Sequence, residues 1–375
     1  MKNKNIISVF YISILLLAIF LIIFPFAHDY ISWKQINLGK IDKMLIYIGI
    51  SNIIFVFISS ICIKYMKNIS IKIQLTIFIS YLIISTILLF NYSIHFNKNN
   101  RAIWKIASYQ LEKTNLSKLI ISKIKNPIIQ AEDINDVKAE FTADPFLIKH
   151  KNEFYTFFEV FNSSTKKGEI GMASSRDGLQ WKYEKVVLSE SFHLSFPCVF
   201  TWNGSYYMIP ESAKSKSIRL YKSIDFPYSW KFEKSILDRG NYLDNIIFKY
   251  KNLWWLFTST SNANLYLYYS KSPLDPWKSH PKNPIKHDDA DASRMAGNIF
   301  IKNDSLIRFA QDDYPNYGNG IRSFYINTID SMNYKETEIT TIPNFRGKDK
   351  FSLNGVHSIS ILETSKSYLL IIDEY

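Results

Sequence analysis

Three long uncharged apolar runs dominate the first hundred residues. They cover residues 6–27, 44–63 and 73–94 and are 22, 20 and 22 residues long. At about 1.5 Å of rise per residue, a helix of this length spans the roughly 30 Å hydrocarbon core of a bilayer. Lysines bound the runs, and no small-x-small cleavage site follows the first, which disfavours a cleaved signal peptide. The pattern predicts a three-helix transmembrane anchor over residues 1–97.

A basic amphipathic segment follows over residues 98–127. Apolar residues such as Trp104 and Ile106 are interleaved with lysines such as Lys105 and Lys113, and Pro127 closes the segment. A helix with this pattern can lie in the lipid interface with its lysines near anionic headgroups. The alternative is a solvated stalk helix with a modest packing face. In both cases we expect a connector that precedes the next domain.

After residue 127 the pattern changes to short segments rich in aromatic and β-branched residues, separated by turn residues. Five stretches share one arrangement, in which a strand, a short polar turn and a second aromatic strand follow one another. They cover residues 143–159, 195–211, 243–259, 296–312 and 355–373. Their starts are 48–60 residues apart, which indicates an internal repeat.

A second half-unit follows several of these hairpins, at residues 172–188, 220–237 and 268–285. Each is a strand, a Ser-rich turn with an acidic residue, and a Trp that opens the next strand. One unit therefore holds about four strands in about 50 residues, which predicts a five-bladed β-propeller over residues 128–375. A β-sandwich, the competing fold, is not expected to repeat such a unit.

The net charge of +12 comes entirely from the N-terminal third of the chain. Residues 1–127 hold 15 Lys and Arg but three acidic residues, whereas residues 128–375 hold 30 of each sign. A neutral main domain offers no basic surface to a phosphate backbone, which argues against a nucleic-acid partner. Cys62 and Cys198 are too few for a Cys-rich zinc site or a disulfide framework.

The basic residues beside the apolar runs favour a cytoplasmic propeller. With the N-terminus outside, the inner side holds seven basic residues and the outer side five. The positive-inside rule therefore predicts a multi-pass protein of a bacterial cell membrane, with its propeller in the cytoplasm. Lys2 and Lys4 argue for the opposite orientation.

The repeat also predicts which residues meet at the centre. In a propeller the innermost strand of each blade begins at the mouth of the central channel. The residues at the repeat starts are Asp144, Ser195, Asp244, Arg294 and His357, and Glu159, Glu211 and Asp312 end the aromatic strands. Carboxyl groups around one pocket suit glycosidic-bond chemistry, with one as acid and another as base or nucleophile. For Asp144, which precedes Pro145, the alternative role is a turn cap.

Residues 143–146 and 243–257 resemble the furanosidase-type five-bladed propellers, the group that contains glycoside hydrolase family 43, levansucrases and invertases. The resemblance implies a general base at Asp144 in the first blade and, at Asp244 in the third, the residue that tunes the acid. The general acid of that group is a fourth-blade Glu, but no Glu lies between Glu233 and Glu336. Glu211 or Asp312 is the expected substitute where the geometry allows it.

A closer resemblance covers about residues 126–375. The matching stretches are NPII (126–129), TADPF (142–146), SFPCVF (195–200), MIPES (208–212), SRMAG (293–297), RFAQDDYPNYG (308–318) and GVHSI (355–359). They resemble the propeller domain at the N-terminus of plant glucosamine inositolphosphorylceramide transferases. Because the chemistry of that family is credited to an attached transferase domain, the resemblance implies glycan or glycolipid metabolism rather than a particular reaction.

The expected substrate-binding set is Arg294, Arg308, Gln311, Asp312, Tyr317 and His357. An Arg beside a carboxylate, as with Arg308 and Asp312, suits a network of sugar hydroxyls or an anionic group. A structural ion pair between blades is the alternative. In related propellers a residue like His357 orients a water or a calcium ion. The sequence itself shows no metal-ligand spacing, and we expect no metal and no cofactor.

Three functions are compatible with these observations. The first is an enzyme that acts on a glycosidic bond as a hydrolase or sugar transferase, with Asp144, Asp244 and Glu211 as catalytic residues. The second is a non-catalytic carbohydrate-binding or accessory module for a partner glycosyltransferase, motivated by the missing fourth-blade Glu and the anchor. The third is a scaffold. The expected partners are a carbohydrate or lipid-linked sugar and membrane lipids.

Overall fold

The computed structural model describes Ser70 and residues 103–116, 119–120, 124–313, 317–339 and 355–375. The three apolar runs, and with them the predicted transmembrane anchor, lie outside the described residues. Within the described part of the chain, no helix is long and apolar enough to cross a membrane.

Among the described residues from Ile103 onwards, twenty β-strands make up nearly all of the regular structure, with two short 3₁₀ helices at Ala131–Asp133 and Ala213–Ser215. In chain order the strands are β1 (Lys105–Leu111), β2 (Leu119–Ile120), β3 (Ala139–His150), β4 (Glu153–Asn162), β5 (Lys167–Ser175), β6 (Lys182–Leu188), β7 (Ser195–Trp202), β8 (Ser205–Glu211), β9 (Ser217–Asp225), β10 (Ser229–Asp238), β11 (Leu243–Tyr250), β12 (Leu253–Ser259), β13 (Leu265–Ser270), β14 (Lys278–Ser279), β15 (Phe300–Lys302), β16 (Ser305–Asp312), β17 (Gly320–Ile329), β18 (Tyr334–Ile339), β19 (Ile359–Glu363) and β20 (Tyr368–Glu374).

These strands form five antiparallel four-stranded sheets, which confirms the predicted five-bladed propeller. The first four blades are β3–β6, β7–β10, β11–β14 and β15–β18, each in simple chain order. Every blade starts with a predicted hairpin, because the aromatic segments alternate with two-residue polar turns. Each blade is covered on both faces by its neighbours. Trp254 and Trp255 show the consequence, since adjacent residues on β12 face opposite sides and both are buried.

The fifth blade joins the two ends of the folded region. Its strand order is β19-β20-β1-β2, and β1 pairs with β20 from Lys105 opposite Glu374 to Leu111 opposite Tyr368. Such pairing closes the ring and leaves no open inner edge. The prediction of a helical connector is therefore wrong for Lys105–Leu111, and the compact unit begins at Ile103 rather than at residue 128. Apolar residues of this segment, such as Ile106 and Ala107, face neighbouring blades and not lipid.

The hub, which is the central region where the first strands of the blades meet, is packed with side chains below the mouth of the central channel. Phe146 on β3 and Phe196 on β7 are fully buried and meet edge to face, with ring centroids 4.8 Å apart. Further along β7, the Cys198 thiol donates a hydrogen bond to Asn298 Oδ1 in the segment before β15, at 3.3 Å. The first contact joins the first and second blades, and the second joins the second and fourth blades.

A matched pair of fragments tests the closure of the fifth blade. We expect residues 103–375 to fold, and residues 128–375 to aggregate or unfold, because β20 then keeps β19 but loses β1 on its other edge, and Ile106, Ala107 and Leu111 leave a void in the core. Circular dichroism and thermal denaturation of both fragments provide the measurement. Equal melting temperatures would show that β1 is dispensable.

Candidate functional site

Three inner strands carry a backbone irregularity at the mouth of the hub. Asp144, Phe196 and Asp244 have φ values of 55°, 47° and 49°, and the pairing register of each strand shifts at these residues. A left-handed conformation at a non-glycine residue costs on the order of 1–3 kcal/mol and persists only where the surroundings hold it. The bulges turn backbone N–H groups out of the strand ladders and leave them for other acceptors.

Carboxyl groups accept these N–H groups. The backbone N–H of Asp144 donates to Asp373 Oδ2 at 3.1 Å, and that of Asp244 donates to Glu211 Oε2 at 3.1 Å. The N–H of Phe196 donates to Asp144 Oδ2 at 3.2 Å. Each bond joins consecutive blades, since Asp373 lies on β20, Asp144 on β3 and Glu211 on β8. The mouth is thus a ring of buried acidic side chains that also holds the blades together.

His357 lies between two of these carboxylates. Its Nε2 is 3.1 Å from Asp144 Oδ1 and its Nδ1 is 3.1 Å from Asp373 Oδ2. Burial alone would lower the pKa of His357, but Asp373 and Asp144 outweigh it and raise the pKa to about 9. The ring of Trp104 packs against the imidazole with centroids 4.3 Å apart. The residue is therefore a doubly protonated imidazolium at neutral pH.

The atoms of Asp144, His357 and Asp373 lie within 4.8 Å of one another and could in principle hold a metal ion. Their hydrogen bonds favour a proton instead. Asp373 Oδ1 already accepts the backbone N–H groups of His357 and Ser358, at 3.0 and 2.9 Å, and Oδ2 accepts that of Asp144. A cation would have to displace the His357 proton and compete for the same lone pairs. We therefore describe the trio as an Asp–His–Asp charge network.

Arg294 forms a bidentate ion pair with Asp244, the carboxylate at the start of the third blade. Its Nε and Nη2 donate to Asp244 Oδ2 and Oδ1 at 2.7 and 3.1 Å, the bidentate geometry that Arg favours. Its Nη1 is 3.7 Å from Asp313 Oδ2. Tyr317 lies beside the guanidinium, 5.3 Å from it, and is 46% exposed. Burial raises the pKa of Asp244, and the guanidinium opposes this shift.

Two glutamates at the mouth hold protons. Burial and the Asp244 carboxylate raise the pKa of Glu211 to about 8, against the opposing effect of Arg294. Burial, reinforced by Asp144, Glu211 and Asp373, raises the pKa of Glu159 well above its ordinary range. Ionised and neutral carboxyl groups therefore lie side by side, as acid–base chemistry requires.

The structure brings together five of the predicted catalytic and binding residues at the mouth, with Tyr317 at its edge. The five are Asp144, Glu211, Asp244, Arg294 and His357. Sequence reasoning placed Glu159 at the centre but did not select it as a catalytic or binding residue, and it missed Asp373 and His193, which also contact this ring. The repeat carried a signal for Asp373 as well, because it lies in the last repeat at the position that Glu211 has in the second. His193 lies three residues before Phe196, as Arg294 lies three before Gly297.

The predicted pair of Arg308 and Asp312 is wrong. Arg308 is fully buried and donates two hydrogen bonds of 2.7 Å to Glu336 on β18, because its side chain points along the blade and away from the hub. Asp312 accepts a hydrogen bond from Asn319 at 3.4 Å. Gln311 is buried and donates to the carbonyl of Met295 at 2.9 Å, which fixes a loop. Arg308 and Gln311 therefore stabilise the fourth blade.

Sequence comparisons identify relatives for most of the folded region. A family model, "Glucosamine inositolphosphorylceramide transferase 1, N-terminal", matches residues 102–373. Glucosamine inositolphosphorylceramide transferase 1 of Arabidopsis thaliana is 37% identical over 244 residues, which cover 62% of this chain and 32% of the relative. The protein of the same name from Oryza sativa subsp. japonica is 35% identical and is covered to 33%. The chain spans about a third of the length of these curated relatives.

Solved structures with the same architecture are distant in sequence. An α-L-arabinofuranosidase from Podospora anserina is 11% identical with a TM-score of 0.51, covering 67% of this chain and 95% of that one. The catalytic domain of an α-L-arabinofuranosidase from Coprinopsis cinerea gives 11% identity, a TM-score of 0.51, and coverage of 66% and 95%. At this identity the likeness shows the fold alone.

The charge network around His357 predicts a pH-dependent stability. Because the folded pKa of about 9 exceeds the ordinary 6.5, the native state binds more protons between these values, and the free energy of unfolding falls as pH rises through them. His357→Gln should remove at most about 3 kcal/mol of stability below pH 6.5 and little above pH 9. Denaturant melts from pH 5 to pH 10 measure this difference, with exposed His287→Gln as control. Parallel stability curves for wild type and variant would contradict it.

The corrected position of Arg308 gives a second stability prediction. Arg308→Met should cost about 3 kcal/mol, because the buried Glu336 loses its bidentate partner and keeps the Lys286 ammonium, 3.0 Å from its Oε1, as counter-charge. Adding Glu336→Gln should restore part of this loss, since a neutral amide then replaces the buried carboxylate. Thermal denaturation of the single and double variants provides the measurement. A wild-type melting temperature for Arg308→Met would show that the pair is not structural.

Proposed function

This chain belongs to the family of the N-terminal domain of glucosamine inositolphosphorylceramide transferase 1, and on that premise we propose that its propeller processes a glycan or glycolipid at the mouth of the hub. The observation that carries the proposal is the ring of buried carboxyl groups, of which some are paired with cations and others hold protons. Cleavage or transfer of a glycosidic bond needs one carboxyl group of each kind.

The roles follow from the partners of each carboxyl group. Asp144, which faces the His357 imidazolium and accepts the Phe196 N–H, is the proposed base. Asp244, clamped by Arg294, is the residue that tunes the acid through its charge. The acid must be protonated at neutral pH, and both Glu211 and Glu159 meet this condition.

The edge of the mouth supplies the proposed sugar contacts. Tyr317 presents a half-exposed ring beside Arg294 and packs 4.9 Å from the His357 ring. An aromatic face next to charged hydrogen-bonding groups suits a sugar ring, whose C–H groups stack while its hydroxyl groups bond to the charges. The Arg294 side chain beside this ring is 25% exposed.

A lipid-linked sugar is the proposed substrate. The relatives are named glucosamine inositolphosphorylceramide transferases, and inositolphosphorylceramide is a lipid with an inositol phosphate headgroup. The three apolar runs would hold this chain in a membrane as a multi-pass protein, with the propeller on the cytoplasmic side. The bacterial cell membrane expected from the sequence is part of the same proposal, whereas the curated relatives named above come from plants.

A binding or accessory role is the second candidate. One observation favours it: several mouth carboxylates are bonded to backbone N–H groups that join blades. In that case the mouth binds the sugar of a lipid-linked substrate and a partner glycosyltransferase performs the chemistry.

Asp144→Asn tests the proposed function. Asn tolerates a left-handed φ and can still accept the Phe196 N–H, so the melting temperature should change little, whereas turnover should fall by about a hundredfold or more. The assay presents detergent-solubilised full chain with a panel of glycolipids, including glycosylated inositolphosphorylceramides, and detects products by mass spectrometry. Asp304→Asn, also left-handed but exposed, is the control.

The outcomes separate the two candidates. Turnover by the wild type that Asp144→Asn abolishes supports the enzyme. Saturable binding of a panel member without turnover, weakened by Asp144→Asn, supports the binding module. Unfolding caused by Asp144→Asn would show that Asp144 is a structural turn cap and would contradict both.

A further inference from the structure

Glu159 differs from the other carboxyl groups of the mouth in its hydrogen bonds. Asp144, Glu211, Asp244 and Asp373 each accept at least one backbone or guanidinium N–H. Glu159 Oε1 is buried and accepts no well-aligned hydrogen bond from the described residues, although His193 Nε2 lies 3.3 Å away; the residue as a whole is 6% exposed. Burying an ionised carboxylate without well-aligned donors is costly, so this position favours the protonated carboxyl group.

The repeat explains why this oxygen lacks a partner. Glu159 on β4 pairs with Ala143 as Glu211 on β8 pairs with Ser195, and Glu211 accepts the bulge N–H of the next blade. The equivalent N–H after Glu159 belongs to Phe196, and it donates to Asp144 instead. Glu159 therefore accepts no bulge N–H from the next blade, whereas one oxygen of Glu211 accepts the backbone N–H of Asp244.

We propose that Glu159 is the proton donor of the mouth and that His193 is the residue that positions it. The proposal rests on the proposed function. It assigns the general acid for which the sequence offers no Glu between Glu233 and Glu336. Glu211 would then modulate the charge of the site rather than give up the proton.

The contacts of His193 fix the direction of its ring. Its Nδ1 accepts the backbone N–H of Gly168 at 2.8 Å, so the proton of the neutral ring lies on Nε2. That Nε2 is 3.3 Å from Glu159 Oε1. The backbone N–H of Leu194 donates to the carbonyl of Gly168 at 3.0 Å, which ties the loop of His193 to β5. His193 therefore approaches Glu159 from a fixed backbone position.

Gly168 makes this approach possible. A Cβ there would lie 2.3 Å from the Leu194 carbonyl oxygen, 2.6 Å from Glu159 Oε1 and 2.8 Å from His193 Cε1. Any side chain would force the histidine and the glutamate apart. The His193 side chain is 32% exposed, whereas that of Glu159 is 8% exposed, so the histidine links the buried acid to solvent.

The charges around the pair act in the same direction. Burial raises the pKa of Glu159, and Asp144 on β3, Glu211 on β8 and Asp373 on β20 raise it further. Burial lowers the pKa of His193, with Lys214 adding to this effect and Asp144 opposing it. A neutral histidine beside a neutral glutamate leaves the glutamate proton available to a substrate.

The proposed step balances without a cofactor. Glu159 gives its proton to the glycosidic oxygen as the bond from that oxygen to the anomeric carbon breaks. Water or an acceptor hydroxyl forms the new bond to the anomeric carbon and loses its proton to the Asp144 carboxylate. Exchange with solvent then returns a proton to Glu159 and removes one from Asp144.

Leaving-group dependence distinguishes the acid from a structural residue. With the full chain, Glu159→Gln should reduce turnover of the glycolipid by about a hundredfold to ten-thousandfold, but should spare nitrophenyl glycosides, whose leaving group needs no proton. Glu211→Gln should affect both substrates alike, and exposed Glu233→Gln neither. The proposal is wrong if Glu211→Gln loses turnover of the glycolipid but keeps that of nitrophenyl glycosides, while Glu159→Gln affects both substrates alike.

Two further variants test His193. His193→Ala and Gly168→Ala should each lower kcat on the glycolipid and shift the alkaline limb of its pH profile, and His193→Gln, which keeps an N–H donor, should recover part of the loss. An unchanged pH profile in both would contradict the positioning role.

A readout without turnover separates this inference from the proposed function. The infrared difference spectrum between wild type and Glu159→Gln at pH 7 should contain one protonated carboxyl C=O band of the wild type, because the band expected from Glu211 is common to both proteins and cancels. If the difference spectrum contains no such band, Glu159 is not protonated, whatever the activity. If the band is there while no panel member is turned over, the protonation holds and the enzymatic function fails.

Discussion

The burial of several carboxyl groups where five blades meet is the constraint on which the rest of this structure depends. Each ionised carboxylate there needs donors, and like charges close together raise one another's pKa. The hub meets this need in three ways. Backbone bulges supply N–H groups to Asp373, Glu211 and Asp144. Cations cover Asp244 and Asp144, and protons neutralise Glu211 and Glu159.

The same groups serve the fold and the proposed chemistry. The carboxylates that accept bulge N–H groups join consecutive blades, so their removal affects the ring closure as well as the site. Glu159 does not join blades in this way, because the Phe196 N–H donates to Asp144 instead. A carboxyl group that accepts no hydrogen bond between blades can change its protonation state during a reaction without loosening the blades. This division explains how a densely bonded hub can still hold a reactive acid.

The sequence predicted the propeller because each blade repeats one hairpin at a spacing that is visible in the letters alone. It did not predict β1, since that strand pairs with β20 at the far end of the chain and lies in a segment, residues 98–127, whose interleaved lysines and apolar residues also suit an amphipathic helix. Asp144, Asp244 and Glu211 could be placed at the mouth from the repeat register. Arg308 could not be, because an inward position in a strand does not reveal that Glu336 on β18 takes its guanidinium.

The side chains that matter most for protonation depend on pairings between blades, which no single repeat contains. The approach of His193 to Glu159 needs the small residue at Gly168 on a third element. The most direct measurement of the protonated hub is the number of protons released when the full chain unfolds at pH 7, read from the slope of the free energy of unfolding against pH. We expect stability to fall with rising pH and a net release of about two protons or more, because Glu159, Glu211 and His357 bind protons more tightly in the native state. A flat or rising curve would show that the hub carboxyl groups are ionised like exposed ones, and would contradict the protonated site.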